Sequence, residues 1–292
     1  MDDIQRTIDL MLPQQTHLDR LAVGVIDFKA NKFQIYGHIA SWFDLASVTK
    51  ILGFGSAYVL DPKTFTPEMR LLAEHRAGLP AWGLLPNPGW QEIINDYPIK
   101  EAATLYSDYS AMRVTLEYVK KNGRTIPETL EDIWDDEIKF WREVPMGVET
   151  PITGARGGNP IVGDVHDPNA WVIKDWCGHA GLFGTAGGVC QTLLNLEKKS
   201  GFIKLVSDEM KKHGHRYTFG WDRVENPAST LAGEGCSKLT FGHLGFTGTS
   251  VWIDAEKLRG HVILSNATRD GWYCKEGLNE IRHLIGQLVW RL

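Results

Sequence analysis

Apolar residues recur at Ile4, Ile8, Met11 and Leu12, a spacing that places them on one face of a helix ending at Pro13. The period then changes. Residues 21–28 and 32–36 read as two strands around the turn Lys29-Ala30-Asn31. From about residue 51 to 197 the pattern is mainly helical, interrupted by Pro- and Gly-rich loops at 81–90 and 151–164. Strand-like runs return at residues 217–221, 239–243, 249–253 and 261–265, with links short enough for an antiparallel meander. Leu278, Ile281, Ile285, Leu288 and Leu292 close the chain at helical spacing. Strands at both ends with helices between them predict an α+β protein: a discontinuous α/β lobe (residues 1–60 and 190–292) and an inserted helical lobe with the active-site loops (residues 61–189). A cleft is expected between the lobes.

Composition narrows the function classes. The 292 residues are enough for one large domain or two intimately packed lobes, and 43% of them are hydrophobic, which argues against disorder. Acidic residues outnumber basic ones, 36 to 31, and Lys and Arg are dispersed, so there is no nucleic-acid footprint. A small molecule or short peptide is the expected partner. Acids follow Met1 where a secretory signal would carry bases, and no apolar run could span a bilayer. The chain as written is expected to be soluble and cytoplasmic, or periplasmic if a leader has been removed. Cys177, Cys190, Cys236 and Cys274 lack paired metal-type spacing and read as packing thiols.

Candidate chemistry centres on Ser47-Val48-Thr49-Lys50, the one place in the chain where a serine precedes a lysine by three positions. At the start of a helix that spacing is about one turn, so hydroxyl and amine share a face and the amine can take the serine's proton. Residues 51–57 suit a buried helix that holds the pair. Tyr106-Ser107-Asp108 is the one Tyr-x-Asp or Tyr-x-Asn. Near an amine its phenol would have a lowered pKa and could relay protons; in isolation it reads as a buried aromatic with a turn-forming acid. His243-Leu244-Gly245 puts a polar residue and a glycine on a strand edge, where substrate backbone can approach and the next N–H can face an oxyanion. Two similar triplets are set aside as chemistry. Lys199-Ser200-Gly201 ends a helix and reads as structural, whereas His179-Ala180-Gly181, in a glycine loop leading to a helix capped by Thr185, is expected to line the site without doing chemistry.

Five segments in order resemble the landmarks of the serine β-lactamase and penicillin-binding protein superfamily. They are Phe43-Asp44-Leu45-Ala46-Ser47-Val48-Thr49-Lys50, Leu71-Leu72-Ala73-Glu74-His75-Arg76-Ala77-Gly78-Leu79-Pro80, Tyr106-Ser107-Asp108, Gly178-His179-Ala180-Gly181-Leu182-Phe183 and Gly242-His243-Leu244-Gly245-Phe246-Thr247-Gly248-Thr249. The match is closest to the branch holding class C β-lactamases, DD-peptidases, D-aminopeptidases and carboxylesterases. The resemblance implies an antiparallel sheet flanked by helices, with the active site in the cleft. It also implies Ser47 as nucleophile, Lys50 as base and Tyr106 as proton carrier to the leaving group. The N–H groups of Ser47 and Phe246 would form an oxyanion hole beside Gly245 and Thr247.

Three departures shape the expected chemistry. His243 stands where penicillin-recognising relatives often carry a lysine; a histidine is only partly charged near neutrality, which fits esterases and peptidases better than a dedicated β-lactamase. Asp108 stands where Asn is common, and its carboxylate favours the charged form of Lys50, shifting the base role toward Tyr106. The interval between the Tyr and His motifs is short for the family, which implies trimmed loops and an unusual cleft. The expected activity is acyl transfer through Ser47 on an amide or ester, as in DD-carboxypeptidases or carboxylesterases, with weak β-lactamase activity as a side reaction. The alternative is a non-catalytic muropeptide sensor. No cofactor or metal is called for: His213-Gly214-His215 and Asp164-Val165-His166-Asp167 lack a recognisable third ligand. Residues 131–141 read as a helix with one packed face. Trp82, Trp90 and Trp171 read as loop aromatics that line the cleft or anchor the core.

Overall fold

The computed structural model describes residues 2–271 and 275–292, which leaves Cys274 outside the described residues. Helix α1 (Asp2–Met11) leads through a short 3-10 turn into strands β1 (Leu21–Asp27) and β2 (Lys32–Gly37). Strand β3 (Phe43–Asp44) precedes Ser47 and α2 (Val48–Lys50), which runs through a π-helical turn (Ile51–Gly55) into α3 (Ser56–Leu60). The helical region holds α4 (Pro67–Ala73), α5 (Trp90–Asp96), α6 (Asp108–Asn122) and α7 (Ile126–Leu130). It continues through β4 (Ile138–Phe140), β5 (Ala155–Arg156), β6 (Asn159–Pro160), α8 (Pro168–Ile173) and β7 (Leu182–Gly184). Helices α9 (Ala186–Ser200) and α10 (Phe202–Lys212) precede β8 (Tyr217–Thr218), β9 (Trp221–Arg223), β10 (Thr240–Leu244), β11 (Ser250–Asp254), β12 (Arg259–Ser265) and α11 (Glu276–Arg291).

The first two strands and the last five form one antiparallel sheet, ordered β2-β1-β12-β11-β10-β9-β8. Both faces of β1 are buried, and the period of two sorts its side chains. Leu21, Val23 and Val25 pack with Ile4, Ile8, Ile281 and Ile285 of the terminal helices. Ala22 and Ile26 face the core shared with α9 and the helical region. The expected antiparallel sheet flanked by helices is what the chain forms. A small sheet, β3-β7-β4, holds the chain just before Ser47, with Phe43 paired to Gly184 and Asp44 to Phe183.

Three local readings differ from the sequence patterns. Residues 217–221 are two strands, because Phe219 and Gly220 take φ of 55° and 89° and turn the chain into a hairpin. Residues 131–141 are turns followed by β4, because pairing with β7 and the bond from Trp134 Nε1 to Leu52 O (2.8 Å) replace a helix. Trp90 and Trp171 lie in helices α5 and α8, Trp90 in the core, and only Trp82 is a half-exposed loop aromatic. Thr185 caps α9 through Gly188 N, and Gly201 ends it at φ 63°, as their sequence contexts indicate. Among the described residues, Cys177, Cys190 and Cys236 are buried free thiols, and no helix is long and apolar enough to cross a membrane.

Candidate active site

Between β3 and α2 the chain reverses through Ala46, a non-glycine residue at φ 45°, a conformation costing on the order of 1–3 kcal/mol. The Asp44 carboxylate holds that turn, accepting the N–H of Ala46 (2.8 Å) and the N–H of His166 (2.6 Å). Burial raises the Asp44 pKa to about 6 against the opposing pull of those bonds. Buried Val48, Ile51, Leu52 and Phe54 then anchor the helical segment and fix where Ser47 and Lys50 point. Tyr106 arrives from the other side. Its neighbour Ser107 caps α6 by accepting the N–H of Ser110 (2.9 Å), donates its hydroxyl to Pro80 O (2.6 Å) and its backbone N–H to His75 Nδ1 (3.2 Å).

Two groups converge on Ser47 Oγ. Lys50 Nζ lies 3.0 Å away, and the Tyr106 hydroxyl donates to Oγ at 2.8 Å. Lys50 is fully buried, and its ammonium also donates to His179 O (2.8 Å) and pairs with Asp108 Oδ1 at 2.7 Å. Burial alone would lower the Lys50 pKa, but the Asp108 carboxylate and Tyr106 outweigh it and raise it above 10.5. Lys50 in the resting site is therefore a charged donor, in line with the effect expected of Asp108.

Tyr106 corrects one expectation. Its phenol pKa is raised rather than lowered, because burial exceeds the attraction of Lys50, so the resting phenol is neutral. His243 corrects another. Its ring is 4% exposed behind Tyr106, with ring centroids 5.7 Å apart, and its Nδ1 lies 2.6 Å from Leu244 O. Burial and the Lys50 charge lower its pKa to about 3, so it is neutral rather than partly charged at neutral pH.

The segment after β10 is pinned to the backbone just before Ser47. Thr247 Oγ1 donates to Asp44 O (2.7 Å), Thr249 Oγ1 to Leu45 O (3.0 Å), and Gly245 N to Thr249 O (2.7 Å). A Cβ on Gly245 would fall 1.9 Å from Thr249 Oγ1 and 2.8 Å from Leu45 O, so only glycine allows the two segments to meet. Gly245→Ala is expected to lower kcat toward an activated ester by about a hundredfold, the effect of misplacing one oxyanion donor. An unchanged kcat in a folded variant would show that this approach is not needed.

Ser47, Tyr106, Asp108, Phe246 and Thr247 line a cavity of about 490 Å³, together with Ala46, Ala81, Trp82, His166, Asp167, Pro168, His179 and Ala180. Asp167 and His179 form an ion pair at 2.8 Å. Despite burial, that contact raises the His179 pKa well above 6.5 and lowers Asp167 to about 2. Asp44, His166 and the Asp167–His179 pair were not singled out as site residues from sequence. Their types signal nothing by themselves, although Asp44 and His179 lie inside the landmark segments. The His179 triplet lines the site, as its glycine loop suggests, and its carbonyl accepts from Lys50 Nζ. Among the described residues no cluster of His, Cys, Asp or Glu is arranged to hold a metal ion.

No family model matches the chain. A protein of Salmonella agona named "Putative D-alanyl-D-alanine carboxypeptidase" is 32% identical over 120 residues, covering 37% of this chain and 28% of that protein. A counterpart of the same name from Salmonella enteritidis gives the same figures. The matched stretch is thus less than a third of those relatives' length. Solved structures align over nearly the whole chain. A β-lactamase from Mycobacterium bovis has a TM-score of 0.63 at 18% identity, covering 98% of both chains. A class C β-lactamase from Rhodobacter sphaeroides has a TM-score of 0.65 at 12% identity, covering 98% of each. The D-alanine carboxypeptidase AmpC from Burkholderia cenocepacia has a TM-score of 0.64 at 14% identity, again covering 98% of each. This chain has the fold of the serine β-lactamase and DD-peptidase superfamily.

Proposed function

We propose that the chain is a serine hydrolase that forms an acyl-enzyme at Ser47 on an amide or ester, in the manner of a DD-carboxypeptidase or a carboxylesterase. The observation that carries this reading is the convergence of Tyr106 OH and Lys50 Nζ on one serine oxygen, 2.8 and 3.0 Å away, in the wall of a cavity. Ser47 Oγ attacks the carbonyl carbon, and the developing oxyanion is held by the N–H groups of Ser47 and Phe246. Because Lys50 is charged and Tyr106 neutral at rest, the proton moves through Tyr106: the phenol accepts the serine proton as it donates its own to the leaving atom. Lys50 stabilises the phenolate character that develops, and Asp108 keeps Lys50 charged. Water follows the same path in reverse to release the acyl group.

The test pairs a label with a rate. A fluorophosphonate is expected to add one phosphonyl group to the peptide containing Ser47, and p-nitrophenyl acetate, nitrocefin and a D-Ala-D-Ala peptide are assayed side by side. Label on another residue, or on none, overturns the proposal. The charged Lys50 also favours a second reading, a sensor that acylates and does not turn over; stoichiometric, persistent labelling by a fluorescent penicillin without product release identifies it.

A further inference from the structure

The cavity has an unusual charge balance. Among its lining residues, Asp108 is matched by Lys50 at 2.7 Å and Asp167 by His179 at 2.8 Å, so each charge is cancelled within the protein. The other titratable lining groups are held neutral: burial raises the Tyr106 pKa and lowers that of His166. The remaining wall is Ala46, Ala81, Trp82, Pro168, Ala180 and Phe246 with Thr247. Two of its rings are solvent-facing, Trp82 at 49% exposure and Phe246 at 43%, although large aromatic surface is ordinarily buried. One further cation approaches this wall: Lys275 Nζ donates to Phe246 O (2.5 Å) and sits 4.5 Å over the Phe246 ring.

We propose, building on the acyl-transfer reading, that this site selects uncharged esters or amides carrying a bulky apolar group, which packs against Trp82 and Phe246. An anionic substrate would have to enter an apolar cavity whose internal cations already hold their own carboxylates, and would lose its hydration without gaining a partner. An apolar group instead covers exposed aromatic surface, and a cavity of about 490 Å³ accommodates a medium-length acyl chain or an aromatic ring. Trp82 and Phe246 are the specificity-determining side chains, and their contribution is separable from the chemistry at Ser47.

The experiment is a kcat/KM series on p-nitrophenyl acetate, butyrate and hexanoate, with the p-nitrophenyl ester of succinate as a charged match for butyrate. Burial of each added methylene is expected to raise kcat/KM about fourfold, giving on the order of a hundredfold from acetate to hexanoate, with succinate at least about tenfold below butyrate. In Trp82→Ala the hexanoate-to-acetate ratio is expected to collapse toward one. A flat series, a wild-type ratio retained in Trp82→Ala, or succinate equal to butyrate overturns the proposal. So does a carboxylate preference that Lys275→Met abolishes, since Lys275 would then be the substrate's partner. A binding arm separates this inference from acyl transfer: titration of Ser47→Ala with N-methylhexanamide and N-methylacetamide. If the wild type hydrolyses none of the esters yet Ser47→Ala binds the longer amide more tightly and loses that preference with Trp82→Ala, the pocket stands and acyl transfer falls. Equal binding of the two amides sinks the pocket.

Discussion

Replacing Ser47 with alanine is expected to lower kcat on any acyl substrate by on the order of a million-fold, leaving only what the oxyanion donors and binding supply. The size of the effect follows from the geometry. Tyr106 OH and Lys50 Nζ both meet at Ser47 Oγ, the oxygen that the proposed acyl transfer uses. Phosphonate labelling is expected to vanish with the rate. The fold is expected to survive, since Lys50 Nζ keeps His179 O and Asp108 as partners and the removed hydroxyl buries no new charge. The measurement is single-turnover kinetics with mass spectrometry of the labelled protein, beside a far-ultraviolet circular dichroism spectrum. A folded Ser47→Ala protein that still turns over substrate places the chemistry elsewhere.

The second large effect is on stability. Asp108→Asn is expected to destabilise the protein by about 3–5 kcal/mol at neutral pH, because it leaves the fully buried Lys50 ammonium without its counter-charge. The sign of the pH dependence identifies the cause. In the wild type the Lys50 pKa is raised above its ordinary 10.5, so the pair's contribution is full at neutral pH and lost only as pH rises beyond that value. In Asp108→Asn burial dominates and depresses the Lys50 pKa, so the unfolded chain binds the extra proton and the variant becomes more stable as pH rises toward 10. Urea denaturation of both proteins from pH 6 to 10 reads the difference, in which every other titrating group cancels. A deficit that does not shrink with pH would mean that Asp108 acts by some route other than the charge of Lys50.

These two effects bear on different parts of what the sequence makes legible. The strands of the large sheet and the two terminal helices follow from periodicity, because a chain segment that must bury one face advertises its period in its own residues. The failures are equally local. Residues 131–141 carry a helix-compatible pattern, yet three of them pair with β7, and no feature within the segment announces a partner more than forty positions away. Residues 217–221 look like one strand until the positive φ angles of Phe219 and Gly220 fold them back.

The candidate site divides in the same way. Ser47 and Lys50 are one helical turn apart, so their meeting is a matter of spacing, and Tyr106, His243 and Gly245 are marked by motifs in a fixed order. The sequence by itself therefore determines which groups are available and, for the first pair, that they touch. Their protonation is decided only by the tertiary structure. Burial and neighbouring charge raise Lys50, raise Tyr106 against its amine, silence His243, and bind Asp167 to His179 within an apolar wall. Those outcomes depend on which residues, distant in the chain, exclude water from one another. The desolvation that sets each pKa belongs to the packed cavity, and no single segment of the chain carries it.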